Sequence, residues 1–106
     1  METALNNLHK AITDDFANRY WEREDRNRVV EFAEGLTFEE GRKYIKVVKT
    51  LGTQQMVWGF IMKDDDQKFK KGDILKAASW ASPARNKARG NIFEDYHIQW
   101  TGPNYL

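Results

Sequence analysis

Five residues within one stretch, Lys71, Trp80, Arg85, Lys87 and Arg89, are of types that could bind an anion and a flat ring together. The stretch runs from Phe69 to Phe93 and reads FKKGDILKAASWASPARNKARGNIF. Its small residues, with Pro83 and Gly90, let a backbone fold tightly or approach a ligand. Arg85, Lys87 and Arg89 alternate along the chain, a spacing that can meet successive phosphates, and Trp80 offers an indole face on which any base can stack. Lys68, Lys70 and Lys71 would extend the patch if a sheet brought them alongside. A purely structural reading stands beside this one. In it Trp80 belongs to the core, Ala77, Ala78, Ala81, Ala84 and Ala88 pack closely, and the cations only keep the loop in water.

The other reactive residue types form no constellation. Asp64, Asp65 and Asp66 resemble a run of metal ligands, but calcium and magnesium need oxygens converging from several positions, and the distal glutamate of a calcium loop is missing. The run reads as a charged turn that blocks edge pairing. His9 lies beside the apolar helix face, one residue after Leu8, and His97 lies in a terminal strand with Asp95 two residues before it. An Asp95–His97 contact could orient a general base, yet there is no cysteine, and neither Ser79 nor Ser82 sits in a nucleophile elbow. Two histidines without ligand-spaced partners do not make a zinc site, and the glycines form no phosphate-binding fingerprint. No catalytic residue, metal or cofactor is expected.

The elements that must position the loop are a helix and a set of short strands. Leu5, Leu8, Ile12, Phe16 and Tyr20 are spaced for one face of a helix, with Thr3 available as its cap. The helix is expected to reach about Arg23, and the mixed run Trp21 to Arg28 to be its solvated end. Strands are expected at Val29–Phe32, Lys43–Thr50, Gln54–Met62, Ile74 to about Trp80, Asn91–Phe93 and Tyr96–Trp100, with turns at Gly52-Thr53 and at Asp64 to Gln67. In the Gln54–Met62 strand, Met56, Trp58, Phe60 and Met62 should share one face, and Val57, Gly59 and Ile61 the other. Sequential strands without crossover helices form an antiparallel sheet. The expected fold is therefore α+β: an N-terminal amphipathic helix packed on a small, strongly curved antiparallel sheet, or on a barrel of the SH3 or OB kind, with about five to six strands. Gly35, Gly59 and Gly90 would serve its bends. The chain reads as one domain, a helical arm over 1–27 and a β-rich body over 28–106. Tyr105 and Leu106 are expected to fold back over one end.

Charge is distributed unevenly. Residues 1–41 carry five Lys/Arg against ten Asp/Glu, a net −5, and residues 42–106 carry twelve against six, a net +6. An anion-binding body with an acidic arm would give this split, and so would two halves that neutralise each other. With no long apolar run and no signal-peptide pattern, a soluble, cytoplasmic protein without membrane partners is expected.

At Lys43 to Val47, Val57 to Ile61, Phe69 to Phe93 and Trp100 to Leu106 the chain resembles small uncharacterised proteins encoded by tailed bacteriophages. The resemblance covers roughly residues 36–106. It implies the cytoplasm of an infected bacterium and an accessory role, and it implies no site residues. The sequence thus suggests a non-enzymatic accessory binding protein. Sequence-tolerant nucleic-acid binding, preferably single-stranded, would use Lys71, Arg85, Lys87 and Arg89 on phosphates and Trp80 on a base. The alternative is a homodimer or host-protein binder acting through Leu5, Leu8, Ile12 and Phe16 of the helix.

Overall fold

The computed structural model describes residues 1–20, 26–94 and 96–103. Helices α1 (Glu2–Tyr20) and α2 (Arg26–Gly35) precede six strands: β1 (Thr37–Glu40), β2 (Tyr44–Leu51), β3 (Gln54–Met62), β4 (Ile74–Leu75), β5 (Ile98–Gln99) and β6 (Gly102–Pro103). Residues 21–25, Asp95 and 104–106 lie outside the described residues. So do the expectations placed on them: most of the solvated helix end, the Asp95–His97 pair and the folded-back tail.

The fold is α+β. Strands β1 to β4 make one antiparallel sheet in sequential order, and β5 and β6 make a separate two-stranded ribbon. The described strands do not close into a barrel. Closure would require β1 to pair with β4, and both are instead edges of an open sheet. β4 stops after two residues rather than continuing to Trp80, and Asn91 contributes only an isolated bridge to Asp73.

The segment Val29–Phe32, expected as a strand, is part of α2. Its Val-Val pair favours a strand locally, but Val29, Phe32 and Leu36 also have helical spacing, and tertiary packing decides between the two. Phe32 is 1% exposed and stacks on Phe16 with ring centroids 4.2 Å apart and planes 3° from parallel. Trp100 meets the Phe16 ring edge-on at 5.1 Å. His9 ties the end of α2 to α1: its Nε2–H faces the carbonyls of Ala33 at 2.9 Å and Leu36 at 3.1 Å.

Two apolar clusters sandwich the sheet. One joins Leu8, Ile12, Phe16 and Phe32 of the helices to residues such as Ile45 and Ile61. The other, centred on Phe60, Met62, Phe69 and Leu75, lies under the loop that follows β4. A register shift separates the pairs Val47–Gly59 and Val48–Val57, so one extra β3 residue, Trp58, opposes no partner. This bulge changes which face a side chain occupies. Trp58 therefore packs with the helix-side cluster, while Phe60 and Met62 pack on the loop side, against the expected alternation. Gly59 marks a close approach rather than a barrel bend. A Cβ there would lie 2.8 Å from the Leu75 carbonyl oxygen and 3.0 Å from Pro103 Cγ.

The β5–β6 ribbon is fastened by three elements. Trp58 Nε1 donates to the Gln99 carbonyl at 2.8 Å, and the Trp100 N–H donates to Asp15 at 2.8 Å. Lys49, only 5% exposed, donates to the carbonyls of Trp100 at 3.2 Å and Thr101 at 3.1 Å. Burial pushes the pKa of its ammonium down. No helix among the described residues is long and apolar enough to cross a membrane.

Candidate nucleic-acid interface

The loop after β4 is a compact hairpin-like excursion. Ala77 bridges to Pro83, the Ala78 and Ser79 N–H groups donate to the Ser82 carbonyl, and Ser79 Oγ accepts from the N–H groups of Ala81 and Ser82. Trp80 projects from its tip and is 48% exposed. The indole is therefore not a core residue. Above it sits a cation that the sequence did not identify: Lys46 Nζ of β2 lies 4.4 Å from the ring centroid.

The sheet register explains this meeting. Glu39 of β1 is opposite Lys46 of β2, Lys46 is opposite Phe60 of β3, and Phe60 is opposite Leu75 of β4. Directly opposed residues share a face, so all four stand in one row on the loop side. The loop covers the β3–β4 half of that face. Over the other half a cleft of about 310 Å³ remains, lined by Glu39, Arg42, Tyr44, Lys46, Phe60 and Ala81 among others.

The alternating cations have separate duties. Arg85 donates to Asp66 at 2.6 Å and to the Tyr44 hydroxyl at 2.6 Å, with its guanidinium 4.9 Å from the centre of the Phe69 ring. It anchors the loop to the sheet. Arg89 is 8% exposed, and its backbone N–H donates to Ile74. Its side chain is thus largely withdrawn from solvent, where the sequence reading expected it to be open to phosphates. Lys87 is exposed, as is Lys71, which belongs to the turn before β4: its N–H donates to Asp65 at 2.6 Å and its carbonyl accepts from Asn91 at 2.9 Å. Lys68 donates to the Arg85 carbonyl. Of the five residues, the structure keeps Trp80 at a surface with a cation beside it, engages Arg85 in contacts within the fold and largely buries Arg89.

The acidic run is also structural. Asp66 accepts from the N–H groups of Phe69 at 2.7 Å and Lys68 at 2.8 Å, besides Arg85, and it pairs with Lys43 at 3.3 Å. These contacts, the Phe69 N–H foremost and then Arg85, hold its carboxyl well below the usual carboxylate range. Among the described residues no cluster of histidine, aspartate or glutamate could hold a metal ion. The helix face proposed for partners is occupied by the protein itself: Leu8 and Ile12 are fully buried, Phe16 is 1% exposed, and the half-buried Leu5 packs against the same cluster.

Neither the curated proteins nor the solved structures include a match to the chain. A family model does match, over residues 1–104, and its description is a family of unknown function, DUF7717. The chain belongs to that family.

Proposed function

We propose that this member of a family of unknown function is a non-enzymatic accessory protein that binds single-stranded nucleic acid weakly and with little regard to sequence. The observation that carries the reading is the exposed Trp80 indole held beside the Lys46 ammonium on an open half of a sheet face. An exposed aromatic ring supplies base stacking worth about 1–3 kcal/mol, and neighbouring cations supply the salt-dependent backbone term. Lys46 takes over the phosphate role first given to Arg85 and Arg89, with the exposed Arg42 at the rim of the same cleft. Lys71 and Lys87 add positive charge at longer range. A soluble, cytoplasmic setting, that of an infected bacterium as the resemblance to bacteriophage proteins implies, suits such a protein.

Binding of a mixed-sequence single-stranded oligonucleotide tests this. Trp80→Ala and Lys46→Ala should each weaken binding several-fold, whereas Lys10→Ala on the exposed face of α1 should leave it unchanged. Equal affinities across all four proteins would refute the assignment.

A further inference from the structure

We infer that the cleft beside Trp80 seats a single base and favours guanine over thymine or uracil, an inference that rests on the nucleic-acid reading of the same face. The carrying observation is the row Glu39–Lys46–Phe60 across three adjacent strands. Glu39 and Phe60 stand two strand spacings apart, roughly 10 Å, with the Lys46 stem between them. Tyr44 forms the floor, backed by the nearly buried Phe60 ring 5.8 Å away at 70°, and Ala81 of the Trp80 loop forms a wall. The cleft is at the small end of the range for ligand sites, a size suited to one ring system rather than a folded ligand.

Its polar groups carry both charges. Lys46 and Arg42 can take the phosphate and ribose side of a nucleotide. Glu39 is exposed and lines the cleft from β1, directly beside Lys46 in the sheet register. Its neighbour Glu40 is already engaged, accepting from Lys63 at 2.8 Å, which leaves Glu39 as the carboxylate able to meet a ligand. An ionised carboxylate only accepts hydrogen bonds. Guanine offers it two adjacent donors, N1–H and the N2 amine, on its Watson–Crick edge. Thymine and uracil offer one N–H flanked by two carbonyl oxygens, which a carboxylate repels. Reading a splayed base on that edge is the usual route to preference in single strands.

The test compares an oligothymidylate with the same oligomer carrying one central guanosine, at low salt, for the wild type and for Glu39→Gln. The wild type should bind the guanosine oligomer about fivefold more tightly, below the full effect of a buried bidentate pair because Glu39 is exposed. Glu39→Gln should lose that preference while binding oligothymidylate at least as well as the wild type, since it removes a negative charge and gains a donor. Equal wild-type affinities, or a preference that persists in Glu39→Gln, would overturn the guanine cleft and leave the platform standing. Failure of the wild type to bind either oligomer would overturn both readings.

Discussion

Arg85 Nη2 lies 2.6 Å from Asp66 Oδ2, and this contact ties the Trp80 loop to the turn that follows β3. Asp66 also accepts two backbone N–H groups of its own turn, and Arg85 also reaches Tyr44 on β2. One ion pair thus connects a turn, a strand and the loop. Arg85→Ala should loosen the loop and lower the thermal midpoint by a few degrees, on the order expected for a small domain losing one well-bonded side chain. Any loss of oligonucleotide binding in that variant should be accompanied by faster amide exchange over residues 77–86. Weaker binding with unchanged exchange would make Arg85 a direct contact instead.

The same carboxylate gives an acid dependence of definite sign. The folded state holds the Asp66 pKa below its ordinary value, so on acidification the unfolded chain takes up the proton first. Its contribution is fully present above the ordinary carboxylate range and is lost as pH falls from about 4 toward the lowered folded value. Denaturant melts across that window should show a smaller acid-induced loss in Asp66→Asn than in the wild type. Parallel curves would show that the pair adds nothing to acid stability.

Phe32 is predicted to be a core residue of a helix. Phe32→Ala removes its stack on Phe16 and should cost about 3–5 kcal/mol by chemical denaturation. Leu8→Asp, which a docking helix would tolerate in the monomer, should abolish folding because Leu8 is fully buried. A folded, monomeric Leu8→Asp protein would contradict the packing of α1 described above.

Two turn glycines should respond unequally. Gly72 has φ +88°, and a Cβ there would meet the Phe93 ring at 2.6 Å and Asn91 Oδ1 at 2.9 Å. Gly52 has φ +62° with nothing within 4 Å. Both substitutions to alanine carry the left-handed backbone cost of about 1–2 kcal/mol, but Gly72→Ala adds a steric clash with Asn91 and should be clearly the worse in thermal melts. Equal midpoints would mean that the Phe93 and Asn91 side chains move aside without cost.

Much of the fold was legible because it rests on local pattern. The spacing of Leu8, Ile12 and Phe16 marks α1, and Gly52-Thr53 between two apolar runs marks the β2–β3 hairpin. What failed depended on contacts distant in sequence. Val29–Phe32 looks strand-like until Phe16 supplies a stacking partner, and the Trp58 bulge is invisible without the β2 register. Thr37–Glu40 is too short and too acidic to read as a strand, yet pairing with β2 makes it one. At the site, Trp80 was identifiable as a ring among cations. Its actual companion, Lys46, lies 34 positions earlier and is brought there only by sheet pairing. The diversion of Arg85 to Asp66 and the burial of Arg89 likewise depend on the folded turn and not on the alternating pattern.

The central claim is tested most directly by tryptophan fluorescence during titration with a mixed-sequence single strand, in the wild type and in Trp80→Phe. The chain has four tryptophans; among the described ones Trp58 is buried, and Trp80 is exposed with its indole beside Lys46. With about three phosphate contacts, affinity should fall roughly twentyfold between 50 and 200 mM salt. Saturable quenching with that salt dependence, absent or much reduced in Trp80→Phe, is the predicted result. No response from the wild type at low salt, or the same quenching in both proteins, would contradict it.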